Sequence, residues 1–141
     1  MQKRVNLIIA GTRTFTDYKL VCTVMELIRK KYPNIQIVVG GAKGADSCGK
    51  LYALKNKIPY VVYEAEVEKN GKKSDSIKRE KMIKVSQVLV LFWDGVSSES
   101  EDMLHLAVQY ELNCFVMLYK TNEFFAGQNV IDNIYDKMLP F

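Results

Sequence analysis

The sequence predicts a doubly wound α/β domain, a three-layer sandwich on a five-stranded parallel sheet of order 3-2-1-4-5. Three observations lead there. Short apolar runs alternate with longer stretches whose apolar residues recur at helical spacing, the pattern of repeated βαβ units. The runs are nearly continuous in apolar residues, as strands covered on both faces require. Turn signals follow most of them. Right-handed crossovers then fold the helices onto both faces of the sheet.

The elements follow in order. Val5 to Ala10 is the first strand, ending at Gly11. Asp17 caps a helix with Leu20, Val21, Val24, Met25, Leu27 and Ile28 at helical spacing, and Pro33-Asn34 stops it. Ile35 to Val39 is the second strand and runs into Gly40-Gly41. A helix starting near Ala45-Asp46 holds Cys48, Leu51, Tyr52 and Leu54 and stops between Asn56 and Pro59. Tyr60 to Tyr63 is the third strand. A polar loop with Asn70-Gly71 precedes a lysine-rich helix from about Asp75 to Lys84. Val88 to Trp93 is the fourth strand, broken by Asp94-Gly95. A helix from Ser98 to Leu112 turns Met103, Leu104, Leu106, Ala107 and Tyr110 inward, and Cys114 to Tyr119 is the fifth strand. Residues 120–141 form a helical extension of the core 4–119, with a helix over Val130 to Met138. The whole of 1–141 reads as one domain.

Composition sets the class. The chain has 141 residues, 48% hydrophobic and 26% charged, enough for one ordinary globular core. The net charge of +4 is mild, with a cluster at Lys69, Lys72, Lys73, Lys78, Arg79, Lys81 and Lys84 that reads as a solvated helix face or an anion-facing lip. Cys22, Cys48 and Cys114 are far apart and form no CxxC pair, so neither a disulfide framework nor zinc is expected. They read as small core residues. His105 has no second histidine or cysteine near it and reads as a partly exposed side chain without a metal. The run after Arg4 is too short for a signal core, and no stretch is long enough to span a bilayer. A cytoplasmic protein without membrane partner, metal or cofactor is expected.

In open parallel sheets, ligands sit beyond the carboxyl ends of the strands near the switch in strand order. Glycine-containing turns follow three of these strands: Gly11-Thr12-Arg13-Thr14-Phe15, Gly40-Gly41-Ala42-Lys43-Gly44-Ala45-Asp46 and Asp94-Gly95-Val96-Ser97-Ser98. Glycine lets backbone approach a ligand and expose amides to an anion. The second and third turns open helices whose free amides favour phosphate, and Arg13 adds a planar donor fork. Neither a Walker A nor a GxGxxG motif is present. Asp46 reads as a helix cap or a ribose acceptor, and Trp93 as packing or a platform for a base.

The strings Gly11 to Tyr18 and Val39 to Asp46, followed by Gly71-Lys72, Ile77 to Met82 and Leu91 to Gly95, resemble the YspA, or cpYpsA-related, branch of the SLOG superfamily. The resemblance covers roughly residues 4 to 119. It implies a Rossmann-like sandwich that binds nucleotides or nucleotide-derived signalling ligands. Some members hydrolyse an N-glycosidic bond, others sense ligand, and DprA proteins bind single-stranded DNA. Two departures stand out. The family's Arg-Asn pair before the methionine matching Met82 reads Lys78-Arg79 here. Its Gly-Thr pair after the fourth strand reads Glu99-Ser100, and a following glutamate has Glu101 and Asp102 as its nearest counterparts.

The leading expectation is a domain that senses or sequesters a phosphate-bearing nucleotide-like small molecule such as an ADP-ribose derivative. Gly11, Thr12, Arg13, Phe15, Gly40, Gly41, Ala42, Gly44 and Asp46 would meet it on one side. Lys72, Lys78 and Arg79 would close over the anion, and Trp93, Gly95, Ser97 and Ser98 complete the expected contacts. The alternative is a nucleoside 5′-monophosphate phosphoribohydrolase using Arg79 and Glu101 or Asp102. A second alternative is a single-stranded nucleic-acid binder. A homo-oligomer is expected.

Overall fold

A strand with neighbours on both edges and helices on both faces can hold little but apolar side chains, and this chain meets that demand at its centre. The computed structural model describes residues 3–127 and 129–138. Strands β1 (Val5–Gly11), β2 (Ile35–Val39), β3 (Tyr60–Val62), β4 (Val88–Trp93), β5 (Asn113–Leu118) and β6 (Glu123–Ala126) form one sheet ordered β3-β2-β1-β4-β5-β6. Pairing is parallel from β3 through β5, and β6 runs antiparallel to β5.

The order 3-2-1-4-5 therefore holds, and the strand count is corrected to six in a mixed sheet. Glu123 to Ala126 lies within the stretch expected to be helical. Its two aromatic residues favour a pleated surface. Phe124 stacks on Phe115 at 6.2 Å between centroids, and Phe125 packs into the core on the other face. A turn with Asn122 at φ 58° reverses the chain between the two strands.

The alternation of side chains along each strand sends them to opposite faces. Leu7, Ile9, Ile37, Val39, Val90 and Phe92 face helices α1 (Tyr18–Lys31) and α2 (Ala45–Lys55). Ile8, Ala10, Val38, Leu89, Leu91 and Trp93 face α4 (Ser74–Lys84), α5 (Ser98–Gln109) and α6 (Val130–Met138). Between β3 and α4 the segment expected as a polar loop contains the short helix α3 (Val67–Asn70) and a 3-10 turn at Gly71–Lys73. The chain thus changes faces as it returns from the β3 edge to β4, which lies beside β1. That is the switch point, and it opens at the carboxyl ends of β1 and β4.

Local signals account for the helix ends. Asp17 caps α1 by accepting from Leu20 N at 3.0 Å. Several residues expected inside lie outside: Leu27, Leu51, Leu54 and Tyr110 are exposed. In α2 the inner line is Ala45, Gly49, Tyr52 and Ala53, and its three small residues hide the apolar period. Cys114 is buried, while Cys22 and Cys48 are only half-buried, and all three are free thiols. Burial pushes the Cys114 thiol up to about 12. Among the described residues no helix is long and apolar enough to cross a membrane.

Candidate functional site

The switch point is built from three loops bound to one another. Thr12, following β1, is their junction. Its N–H donates to Phe92 O at 3.0 Å, and its carbonyl accepts from Phe15 N at 3.1 Å and Ala45 N at 3.3 Å. Its hydroxyl accepts from Asp94 N at 3.1 Å. Thr12 is 5% exposed, so it joins the loops after β1, β2 and β4 and offers nothing to a ligand. Gly44, at φ 79°, lies where any Cβ would meet the carbonyls of Thr12 and Arg13. This glycine permits loop-on-loop contact, whereas the sequence suggested phosphate contact.

Two aromatic residues are also corrected. Phe15 is 2% exposed and stacks on Phe92 at 5.0 Å and against Tyr119 at 4.8 Å. Trp93 is 1% exposed, and its indole Nε1 donates to Ser97 O at 3.0 Å. Neither ring is available to a base; each belongs to the face of the core that its strand position dictates. In the loop after β4, Asp94 Oδ1 accepts from Val96 N at 2.9 Å and Ser97 N at 2.8 Å. Burial raises the Asp94 carboxyl, but these N–H groups and the Thr12 hydroxyl outweigh it and hold the group below its ordinary range.

Beside this junction lies a crevice with two parts. The deeper is a cavity of about 60 Å³. Buried Ala10, Leu91, Met82 and Met103 make its apolar walls. Ser100, in the first turn of α5, is 3% exposed, and its Oγ has no hydrogen-bond partner among the described residues. Arg13, Lys78 and Arg79 line the same cavity, as do Asp46, Asp75 and Glu99. The outer part is a groove of about 670 Å³ that adds Thr14, Gly41, Lys43, Glu64 and Ala65. Arg13, Gly40, Ala42, Asp75 and Lys78 border both parts and make them one crevice.

Asp46 and Lys78 hold the rim. Asp46 Oδ2 accepts from Ala42 N at 3.3 Å, and Lys78 Nζ donates to Gly40 O at 3.2 Å. Asp46 is 8% exposed. Burial pushes its carboxyl up, opposed by the N–H groups of Ala42 and Gly40 and the charges of Lys78 and Arg13. Its bond to Ala42 makes it a brace for the glycine loop, where the sequence left a helix cap and a ribose acceptor open. Arg13 is engaged by Glu99, Nη2 to Oε2 at 3.1 Å.

Of the sixteen expected contacts in the sequence reading, Gly11, Arg13, Gly40, Gly41, Ala42, Asp46, Lys78 and Arg79 border the crevice. Lys72 stands exposed in the turn before α4, and Gly95, the N-cap residue Ser97 and Ser98 at the start of α5 border neither part. The proposed catalytic acids are elsewhere. Glu101 Oε2 accepts from Tyr135 Oη at 2.6 Å, which pushes the Tyr135 phenol up to about 12. Asp102 borders a groove between α4 and α5. Exposed His105 sits 3.1 Å from Tyr135 Oη. Among the described residues no group of three or more His, Cys, Asp or Glu is placed to hold a metal ion.

The sequence reading missed Ser100, Asp75 and Glu64 as crevice residues. Glu64 follows the third strand, and the rule that sites gather beyond strand ends could have found it. Ser100 falls where the resemblance sets the threonine of its Gly-Thr pair, a usable signal. Asp75 has no signal beyond its place at a helix start.

Comparison with curated proteins and with solved structures finds no match. One family model matches, over the segment that supplies β1, α1, β2, α2 and β3 and hence the Arg13 and Gly40–Gly44 side of the crevice. That model is the YspA, cpYpsA-related SLOG family, to which this chain is similar over residues 5–69.

Proposed function

We propose that the protein binds a phosphate-bearing nucleotide or nucleotide-derived signalling ligand, such as an ADP-ribose derivative, and senses or sequesters it without cleaving it. The family itself points to nucleotide-related ligand binding, or to a LOG-like or DprA-like function, at the superfamily level. One observation supports the finer reading most: Arg13, Lys78, Arg79 and the buried Ser100 hydroxyl, which has no partner among the described residues, line a cavity of about 60 Å³ that adjoins a groove of about 670 Å³.

The physics of that arrangement suits a phosphate. A buried hydroxyl without a partner costs free energy until something accepts its hydrogen. Ser100 lies in the first turn of α5, whose dipole favours negative charge at that end. The apolar walls lower the local dielectric inside the cavity, which strengthens a charge-assisted bond made there. Cleavage is disfavoured by position: Glu101 is bound to Tyr135, and Asp102 faces another groove.

The test is a calorimetric titration with AMP and with ADP-ribose, followed by chromatography of the mixture. Saturable binding with no release of base is expected. Turnover that disappears in Glu101→Gln would replace this reading with the phosphoribohydrolase, and absence of binding by either compound would remove it.

A further inference from the structure

One ion pair stands at the mouth of the small cavity. Arg13 and Glu99 meet at 3.1 Å with side chains 56% and 54% exposed, and both line the cavity that holds the Ser100 hydroxyl. An acid in the first turn of α5 complements the helix dipole, which explains its tolerance there. It does not explain an acid that faces the one guanidinium shared by cavity and groove.

We infer that Glu99 is a guard on Arg13: it competes with the ligand for the guanidinium and sets a threshold that a phosphate monoester clears and a carboxylate does not. The inference rests on the reading that the cavity receives the ligand's anion. Any anion that reaches Arg13 exchanges its own oxygens for those of Glu99. Exchange of one carboxylate for another gains nothing at the guanidinium. A phosphate monoester carries close to two charges at neutral pH and three acceptor oxygens. Two oxygens match the fork of Arg13, and the third is left for the Ser100 hydroxyl.

The surrounding charges reinforce the guard. Asp46, Asp75 and Glu99 oppose Arg13, Lys78 and Arg79 around the cavity. The lining therefore carries no net charge while Glu99 is in place and one positive charge once Glu99 is displaced, and a dianion gains more from that charge than a monoanion does. Because both partners of the pair are more than half exposed, the pair itself is weak and Glu99 can turn into solvent.

The experiment compares AMP with adenosine 5′-carboxylate by calorimetry on the parent protein and on Glu99→Gln. The parent should bind the phosphate at least about tenfold better than the carboxylate, and Glu99→Gln should tighten both by roughly threefold. In an Arg13→Gln background the second substitution should change neither affinity, since the guard acts through Arg13. The inference is overturned if AMP binds the parent but Glu99→Gln weakens or ignores both compounds. Undiminished tightening in the Arg13→Gln background overturns it as well, because general repulsion then suffices. If no protein binds AMP, the anion reading of the cavity fails and the guard falls with it.

Discussion

Asp46 lines the crevice, Asp94 lies in the loop junction beside it, and their carboxyls are shifted in opposite directions. Both pay a desolvation cost, but Asp94 receives backbone N–H groups from Ser97 and Val96 that outweigh it, and Asp46 does not receive enough. The signs follow by linkage. Asp94 has a folded pKa below its unfolded value near 3.8, so it contributes stability above that pH and loses it as pH falls through the lower folded value. Asp94→Ala should reduce the melting temperature at pH 7, and the deficit should shrink as pH is lowered below 3.8; a deficit independent of pH would refute the assignment. Asp46 has the opposite sign: its contribution is present at low pH and lost as pH rises through its raised folded value. Ser100→Ala separates binding from folding. Removal of an unsatisfied hydroxyl should leave stability unchanged or raise it, while AMP affinity should fall about threefold to tenfold. Equal loss of both would mean that the hydroxyl is a packing group. Residue roles were the least legible level of the sequence. Arg13, Gly40 and Lys78 could be found from loop position and charge. Phe15, Thr12 and Trp93 could not, because whether a residue beyond a strand faces ligand or core depends on contacts from distant loops.

At the scale of elements, the glycine loop is the place where one sequence motif serves two purposes. Gly44 lies against the Thr12 and Arg13 backbone, so Gly44→Ala should lower the melting temperature sharply and spoil binding as a consequence. Gly41, at φ 74°, faces the groove near Val62 and Glu64; Gly41→Ala should cost about 1–2 kcal/mol of backbone strain yet leave a folded domain with altered affinity. Thermal melts of the two variants distinguish these outcomes, and equal losses would contradict the division of roles. Helices α5 and α6 are joined by Tyr135, whose hydroxyl reaches Glu101. Tyr135→Phe should cost about 1 kcal/mol in urea unfolding without change in AMP affinity, because Glu101 is outside the cavity. A large affinity loss would return Glu101 to the candidate site. Helix starts were legible because capping chemistry is local, as at Asp17. The strand at Glu123–Ala126 was not, since so short a segment gains its pairing only from the edge of β5.

At the scale of the molecule, the strand order follows from two facts of the sequence: the continuous apolar run of β1 and β4, which demands central positions, and the long polar crossover between β3 and β4 that carries the chain to the opposite face. That return creates the switch point, and the switch point puts Arg13 from one end of the sequence beside Lys78 and Arg79 from its middle. The central claim is that these cations act together on one phosphate. The most direct measurement is a double-mutant cycle for AMP binding by calorimetry, with the parent, Arg13→Ala, Lys78→Ala and the double variant. Each charge-assisted bond is worth about 1.5–3 kcal/mol, so each single change should weaken binding about tenfold or more, and the double variant should lose less than the sum because both groups touch the same anion. Small, strictly additive losses that vanish with added salt would instead mark the cluster as a solvated surface and contradict the account.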